Sequence, residues 1–287
     1  MKSISRRSFL KTTGVAVAAT CATRRLSART LKLPLGIQLY SVRQDMAKDL
    51  EGTLAKVRAA GYTVVEAATF VDHSAADYRK AVDNAGLHLI SDHYTLALLR
   101  TQLDQIIEDA HTAGVQYVVC SSAGGQHRVP SSARDLSLDD WRWVAGEMNK
   151  IGEKTKAAGI TLAMHNHTPE FATLDGVLVY DELLRLTDPS LVTFELDCGW
   201  AVASGHDPVK YLKKTPKRFP LLHVKDMVKQ PDGKEKITAL GKGSIDYGPI
   251  MKAATGTKYY YVEQEAYDME VYEELRVDAE YMRNLQV

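Results

Sequence analysis

Four joints with nearly the same wording recur in the first 160 residues of this 287-residue chain: Arg58-Ala-Ala-Gly61-Tyr62, Asp83-Asn-Ala-Gly86-Leu87, His111-Thr-Ala-Gly114-Val115 and Lys156-Ala-Ala-Gly159-Ile160. Each puts a glycine between a segment with apolar residues at helical spacing and a short apolar run. A glycine just past a helix supplies the left-handed residue that turns the chain back, and a short apolar run bounded this way reads as a buried strand. Four such joints, one per strand-helix unit, define a repeated βα architecture.

Continuing the pattern gives eight strands: Leu35 to Tyr40, Tyr62 to Glu66, Leu87 to Ile90, Val115 to Cys120, Ile160 to His165, Val192 to Asp197, Phe219 to Val224 and Lys258 to Glu265. Helices are expected between them, among them Asp49 to Ala60, Ala75 to Ala85, Gln102 to Ala113, Leu138 to Ala158, Val179 to Leu186, Pro208 to Lys213 and Met269 to Leu285. Eight parallel strands with helices outside close a (β/α)8 TIM barrel, here a single domain over residues 31–287. An open doubly wound sheet is the competing fold. The absence of Gly-x-Gly-x-x-Gly after the first strand weighs against it.

In such a barrel the active site is built at the C-terminal ends of the strands. Here Glu170, Asp197, His223 and Glu263 each lie at or just past one of those ends. Carboxylates with one imidazole suit a divalent ion such as Mn, Mg, Co or Zn, so these four are expected to bind metal. His165 and His167 stand two residues apart on an extended segment and share a side, so either could ligate, or one could bond substrate while the other packs behind it. Taken singly, a carboxylate in such a loop is usually solvated or caps a helix.

The first 30 residues read differently. Ser5-Arg6-Arg7-Ser8-Phe9-Leu10-Lys11, a mildly apolar stretch from Gly14 to Ala22 and small residues near Ala28 have the layout of a twin-arginine export signal, with cleavage expected near Ala28 and the product in the periplasm. The apolar stretch is too short to span a bilayer. Residues 1–28 carry six basic and no acidic side chains, which leaves 30 basic against 36 acidic residues. That balance argues against a nucleic-acid partner, and no membrane association is expected once the leader is removed. Cys120 and Cys198 read as small buried residues rather than reactive thiols.

The motifs Gly36-Ile-Gln-Leu-Tyr-Ser-Val-Arg43, His165-Asn-His-Thr-Pro-Glu-Phe171, Glu195-Leu-Asp-Cys-Gly-Trp200, His223-Val-Lys-Asp226, Gly241-Lys-Gly-Ser-Ile-Asp246 and Val262-Glu-Gln-Glu265 resemble those of the sugar phosphate isomerase/epimerase family, in particular its exported twin-arginine subgroup. These are xylose isomerase-like TIM barrels that include tagatose epimerase, inosose dehydratase and endonuclease IV. The resemblance covers the chain after the leader. It implies a Glu/Asp/His/Glu metal site, which transfers to Asp197, His223 and Glu263, with His165 or the displaced Glu170 as first ligand.

It also implies an isomerase or epimerase that removes a proton beside the carbonyl of a sugar or keto-sugar through an ion-stabilised enediolate; export and the lack of a phosphate-cradling loop beyond Gly241-Lys-Gly243 point to a non-phosphorylated one. Glu263 is expected as one base and Glu170 or His165 as the other, with Lys225 polarising hydroxyls. Gln38, Tyr40, His93, His167 and Trp200 are expected to meet the sugar. A lyase or dehydratase performing β-elimination on 3-keto-glycosides or inosose-like substrates is the closest alternative, and a non-catalytic carbohydrate-binding protein is a third. The partner is a small carbohydrate; self-association is left open.

Overall fold

The computed structural model describes residues 32–70, 72–126 and 133–287. The export signal, its cleavage region and His127 lie outside the described residues. Eight strands, β1 (Leu35–Gln38), β2 (Val64–Ala67), β3 (His88–Thr95), β4 (Tyr117–Ser122), β5 (Thr161–His165), β6 (Val192–Asp197), β7 (Leu221–Val224) and β8 (Tyr259–Val262), pair in sequence order. Every neighbouring pair is parallel, and β1 closes the circle against β8, with Leu35 opposite Tyr260. The result is a closed (β/α)8 barrel.

The glycine joints do what their positions require. Gly61 and Gly114 end helices Leu50–Ala60 and Leu103–Ala113 with φ of 107° and 71°. A side chain there would be strained, and the backbone would no longer swing into the next strand. At the other helix ends, Asp49, Ser74 and Ser137 accept backbone N–H bonds from the first turn.

Apolar packing is divided in two. Between strands and helices lies a continuous layer that includes Leu54, Val57, Trp141 and Met148. Removing one such large side chain, for example Trp141→Ala, is expected to cost about 3–5 kcal/mol. Inside the barrel, Val64, Ile90, Tyr117, Val119, Ala163, Leu221 and Tyr261 form a separate plug. Above that plug the inward positions become polar.

Among the elements that differ from the sequence reading are three where polar chemistry interrupts an apolar pattern. Strand β3 continues five residues past Ile90 and so carries Ser91, Asp92 and His93 within the barrel wall. The polar stretch after β7 forms a hairpin, Asp226–Lys229 against Glu235–Thr238. A short helix, Cys198–Ala203, follows β6 directly, with Asp197 accepting the Trp200 N–H at its start.

Candidate metal and catalytic centre

Side chains two residues apart on a strand share a face. Glu195 and Asp197 on β6 therefore both point to the barrel axis, one level apart, and His223 and Lys225 at the end of β7 repeat the arrangement. Glu66 from β2, His93 from β3, His165 from β5 and Glu263 just past β8 complete the centre.

The upper level is built around an ammonium. Lys225 Nζ lies 3.0 Å from Asp197 Oδ2, 2.7 Å from Glu263 Oε2 and 2.6 Å from Glu265 Oε1. Its side chain is wholly buried, 5.0 Å above the Trp200 ring. Burial would depress the ammonium, but three carboxylates, Asp197 foremost, push it far above its ordinary range, so it stays charged. Burial raises Asp197 despite Lys225, whereas the same ammonium and His223 overcome burial at Glu263 and hold it well below the usual carboxylate range.

The lower level is a ring of alternating imidazoles and carboxylates. His93 Nε2 lies 2.8 Å from Glu195 Oε2 and 3.0 Å from Glu66 Oε2. His223 Nε2 lies 2.7 Å from that same Glu66 oxygen and 3.1 Å from that same Glu195 oxygen. The two imidazole planes are within 4° of parallel. Burial lowers His93, but Glu66 and Glu195 outweigh it and push its imidazole up to about 10. Gln38 supports the ring from below by donating to Glu66 Oε2 at 3.1 Å.

His165 joins the levels. Its Nδ1 is 3.1 Å from Glu195 Oε2, and burial together with His223, His167 and His93 keeps its imidazole well below its ordinary value. Two sets of metal-capable atoms result, each within 4.8 Å: His93, His165, Glu195 and His223, and His165, Asp197, His223 and Glu263.

Above the centre opens a cavity of about 460 Å³. It is lined by His93, His165, His167, Glu263 and Glu265, together with Thr95, Ser121 and Ser122. Tyr40, 42% exposed, stands at the rim with the Arg43 guanidinium 4.0 Å from its ring centre.

The geometry sorts the expected residues. Asp197, His223, Glu263 and His165 meet at the centre, and Tyr40, His93 and His167 reach the cavity. Glu170 does not join either metal-capable set. Its Oε2 accepts the His167 backbone N–H at 2.8 Å in the turn Pro169–Phe171, so the proline holds it as a buried local brace. Lys225 donates to Glu263 and Glu265, forms an ion pair with Asp197 and does not line the cavity, and neither do Gln38 or Trp200 among the described residues.

Glu66, Glu195 and Glu265 were not singled out as site residues by the sequence reading. A signal existed for two of them. Glu195 stands two residues before Asp197 on one strand, and Glu66 interrupts an apolar strand at its C-terminal end.

A closed (β/α)8 barrel carries its active site at the C-terminal ends of its strands, where these buried carboxylates and imidazoles lie. Residues 54–285 match the model of the xylose isomerase-like TIM barrel family, and the chain belongs to that family. Residues 3–23 match a signal sequence of the twin-arginine translocation pathway, which points to export. An inosose dehydratase of Clostridium beijerinckii is 25% identical over 264 residues, covering 80% of this chain and 88% of its own length.

A sugar phosphate isomerase/epimerase of Parabacteroides distasonis is 29% identical with a TM-score of 0.72, covering 91% of this chain and 96% of that one. The zinc-bound IOLI protein, 16% identical with a TM-score of 0.65 over 86% of this chain and 96% of that one, shares the fold. The chain is an enzyme of the xylose isomerase-like family.

Proposed function

We propose that this enzyme is a carbon–oxygen lyase that takes a proton from carbon beside the carbonyl of a cyclic, polyhydroxylated ketone and expels the substituent on the next carbon. The relatives named inosose dehydratase support elimination, and a cavity lined by histidines, glutamates, serines and threonines suits a polyol. The observation that carries the reading is His165, an uncharged imidazole at the floor of that cavity beside the buried carboxylate–imidazole cluster.

Glu195 accepts the Nδ1–H of His165, which leaves the Nε2 lone pair as the base. The C–H electron pair becomes the new C=C bond as the neighbouring C–O bond breaks. His167, its ring 4.7 Å from that of His165, protonates the departing oxygen, so one proton enters and one leaves the protein. A positioned base or acid of this kind is typically worth about 100- to 10,000-fold in rate.

The donor set fits a divalent cation, Mn, Mg, Co or Zn: buried carboxylate oxygens without partners, Glu66 Oε1 and Glu195 Oε1, stand beside imidazoles. Such an ion supplies Lewis-acid polarisation of the substrate carbonyl. The export signal supports a periplasmic location, where free sugars and glycosides rather than phosphorylated ones are the expected substrates.

The second reading is isomerisation or epimerisation, supported by the Parabacteroides distasonis relative of that name. Its first step is the same and it ends in reprotonation. NMR in heavy water with inososes and 3-keto-glycosides separates the two. Loss of water or aglycone is the expected result. Deuterium exchange with every oxygen retained would establish isomerisation instead, and neither exchange nor loss from any such ketone would defeat both.

A further inference from the structure

The cavity has two kinds of lining. His165, His167, Glu263 and Glu265 reach it from the ends of β5 and β8 and carry the acid–base chemistry. Tyr40, Ala68, Thr69 and Leu98 line it from the segments that follow β1, β2 and β3, which are neighbours in the barrel. That second wall is largely apolar, and the chemistry of elimination gives it no task.

Two of its residues are held in positions that cost free energy. Tyr40 is 42% exposed, and with Met269 it is one of the two large hydrophobic residues so exposed among the described ones. Its ring is nevertheless fixed. The Tyr40 N–H donates to Gln38 Oε1 at 2.8 Å, its carbonyl accepts from Arg43 Nη1 at 2.8 Å, and the same guanidinium covers one ring face at 4.0 Å. An aromatic ring left in water yet locked in place is preorganised to stack on a ligand. Thr69 has a φ of 66°, a left-handed value that strains a β-branched residue. Its N–H donates at 2.8 Å to Oδ1 of Asp92, a wholly buried carboxylate. A buried acid thus holds a strained residue in the same wall, and strain of this kind collects at ligand clamps.

Size points the same way. A six-membered ring with six oxygens takes at most about 360 Å³, counting each heavy atom at the roughly 30 Å³ that one claims in liquid water. The cavity offers about 460 Å³, so one polyol ring leaves room beside it.

We infer that the apolar wall is a leaving-group subsite: the substrate is a 3-keto-glycoside of a planar, apolar alcohol, whose aglycone stacks on Tyr40 beside Thr69 and Leu98. This rests on the lyase reading and narrows its substrate. His165 takes the proton from C2 of the sugar, and the C2–H electron pair becomes the C1=C2 bond. The C1–O bond breaks with its electrons moving to the aglycone oxygen, which His167 protonates. The products are an unsaturated keto-sugar and the free alcohol, and no further reactant is needed.

The test compares benzyl and methyl 3-keto-β-glucosides. The two expel alcohols of similar acidity, so a preference between them reports contacts with the aglycone. The enzyme is expected to favour the benzyl compound by about tenfold in kcat/KM, and Tyr40→Ala to shrink that ratio to about twofold. Near-UV circular dichroism confirms that the variant is folded. A parent that treats both compounds alike, or a folded Tyr40→Ala that keeps the parent's ratio, overturns the subsite and leaves the lyase reading intact. An inosose with a higher kcat/KM than the benzyl compound does the same. Turnover of none of these ketones defeats the lyase reading, and calorimetric titration with the unoxidised benzyl and methyl β-glucosides then decides the subsite. Tighter binding of the benzyl glucoside that is lost in Tyr40→Ala upholds the aglycone contact; equal binding overturns it.

Discussion

Replacing Lys225 with methionine tests the electrostatic frame of the centre. The side chain is completely buried, and its ammonium contacts Asp197, Glu263 and Glu265 at 3.0 Å or less. Methionine keeps the stem's packing and deletes the charge. Two buried carboxylates, Asp197 and Glu263, then lose their counter-charge. Breaking a buried ion pair from one side costs about 3–5 kcal/mol. For a domain of this size each kcal/mol lowers Tm by about 2–4 °C, so a drop of about 6–20 °C is expected at pH 7.5.

The pH dependence has a definite sign. Without the ammonium, burial lifts Asp197 and Glu263 above their unfolded values, so the folded variant binds protons more readily than the unfolded chain. Its deficit is therefore largest near pH 8 and shrinks as pH falls toward 5. Thermal melts followed by near-UV circular dichroism at pH 7.5 and pH 5 measure both effects. A variant that melts within about 2 °C of the parent at both pH values would refute the reasoning, because the carboxylates would then have no need of Lys225.

Other perturbations test separate contacts. A Cβ at Gly199 would lie 2.3 Å from Lys225 Cγ, so Gly199→Ala is expected to displace that stem, cost about 1–3 kcal/mol in urea unfolding and reduce turnover. Asp226 accepts the backbone N–H groups of Met227, Gly241, Gly243 and Ile245. Asp226→Asn turns one acceptor into a donor facing two of them, and the hairpin Asp226–Thr238 should become the first site of limited proteolysis, with a loss of about 3 kcal/mol.

Burial lifts Asp278 to about 7, above an unfolded value near 3.8, so its contribution to stability is present at low pH and is lost as pH rises from about 4 to 7. Asp278→Asn can keep the Leu240 N–H bond but turns the oxygen that accepts from Gln264 Nε2 into a donor, so it should lower Tm at pH 5, by about 1–3 kcal/mol of stability, and flatten that pH dependence.

Much of the architecture was legible because it rests on local chemistry. The Ala-Gly joints announce a helix end and a strand start from within five residues, and strand Val192–Asp197 and helix Val179–Leu186 have the bounds their patterns predict. The centre was only partly legible. Glu170 reads like a ligand because it follows a strand, but its carboxylate accepts the His167 backbone N–H beside the turn that Pro169 opens. Glu66 looks like an ordinary strand-end acid until closure brings it 2.7 Å from His223, 157 residues away. Its partner depends on the whole barrel and not on its neighbours in sequence.

That separation bears on how the molecule matures. Glu66 comes from the second stave of the barrel and His223 from the seventh, so the ring does not exist in any half-built intermediate. Until the last staves dock, its acids remain in water and offer no enclosed nest for an ion. If the proposed cation is bound and the chain leaves the cell already folded, the ion is collected before the membrane is crossed and its identity is set by the supply inside the cell. Metal content compared between protein held in the cytoplasm and protein recovered after export measures this directly, and an ion-free cytoplasmic form that is fully folded would contradict it.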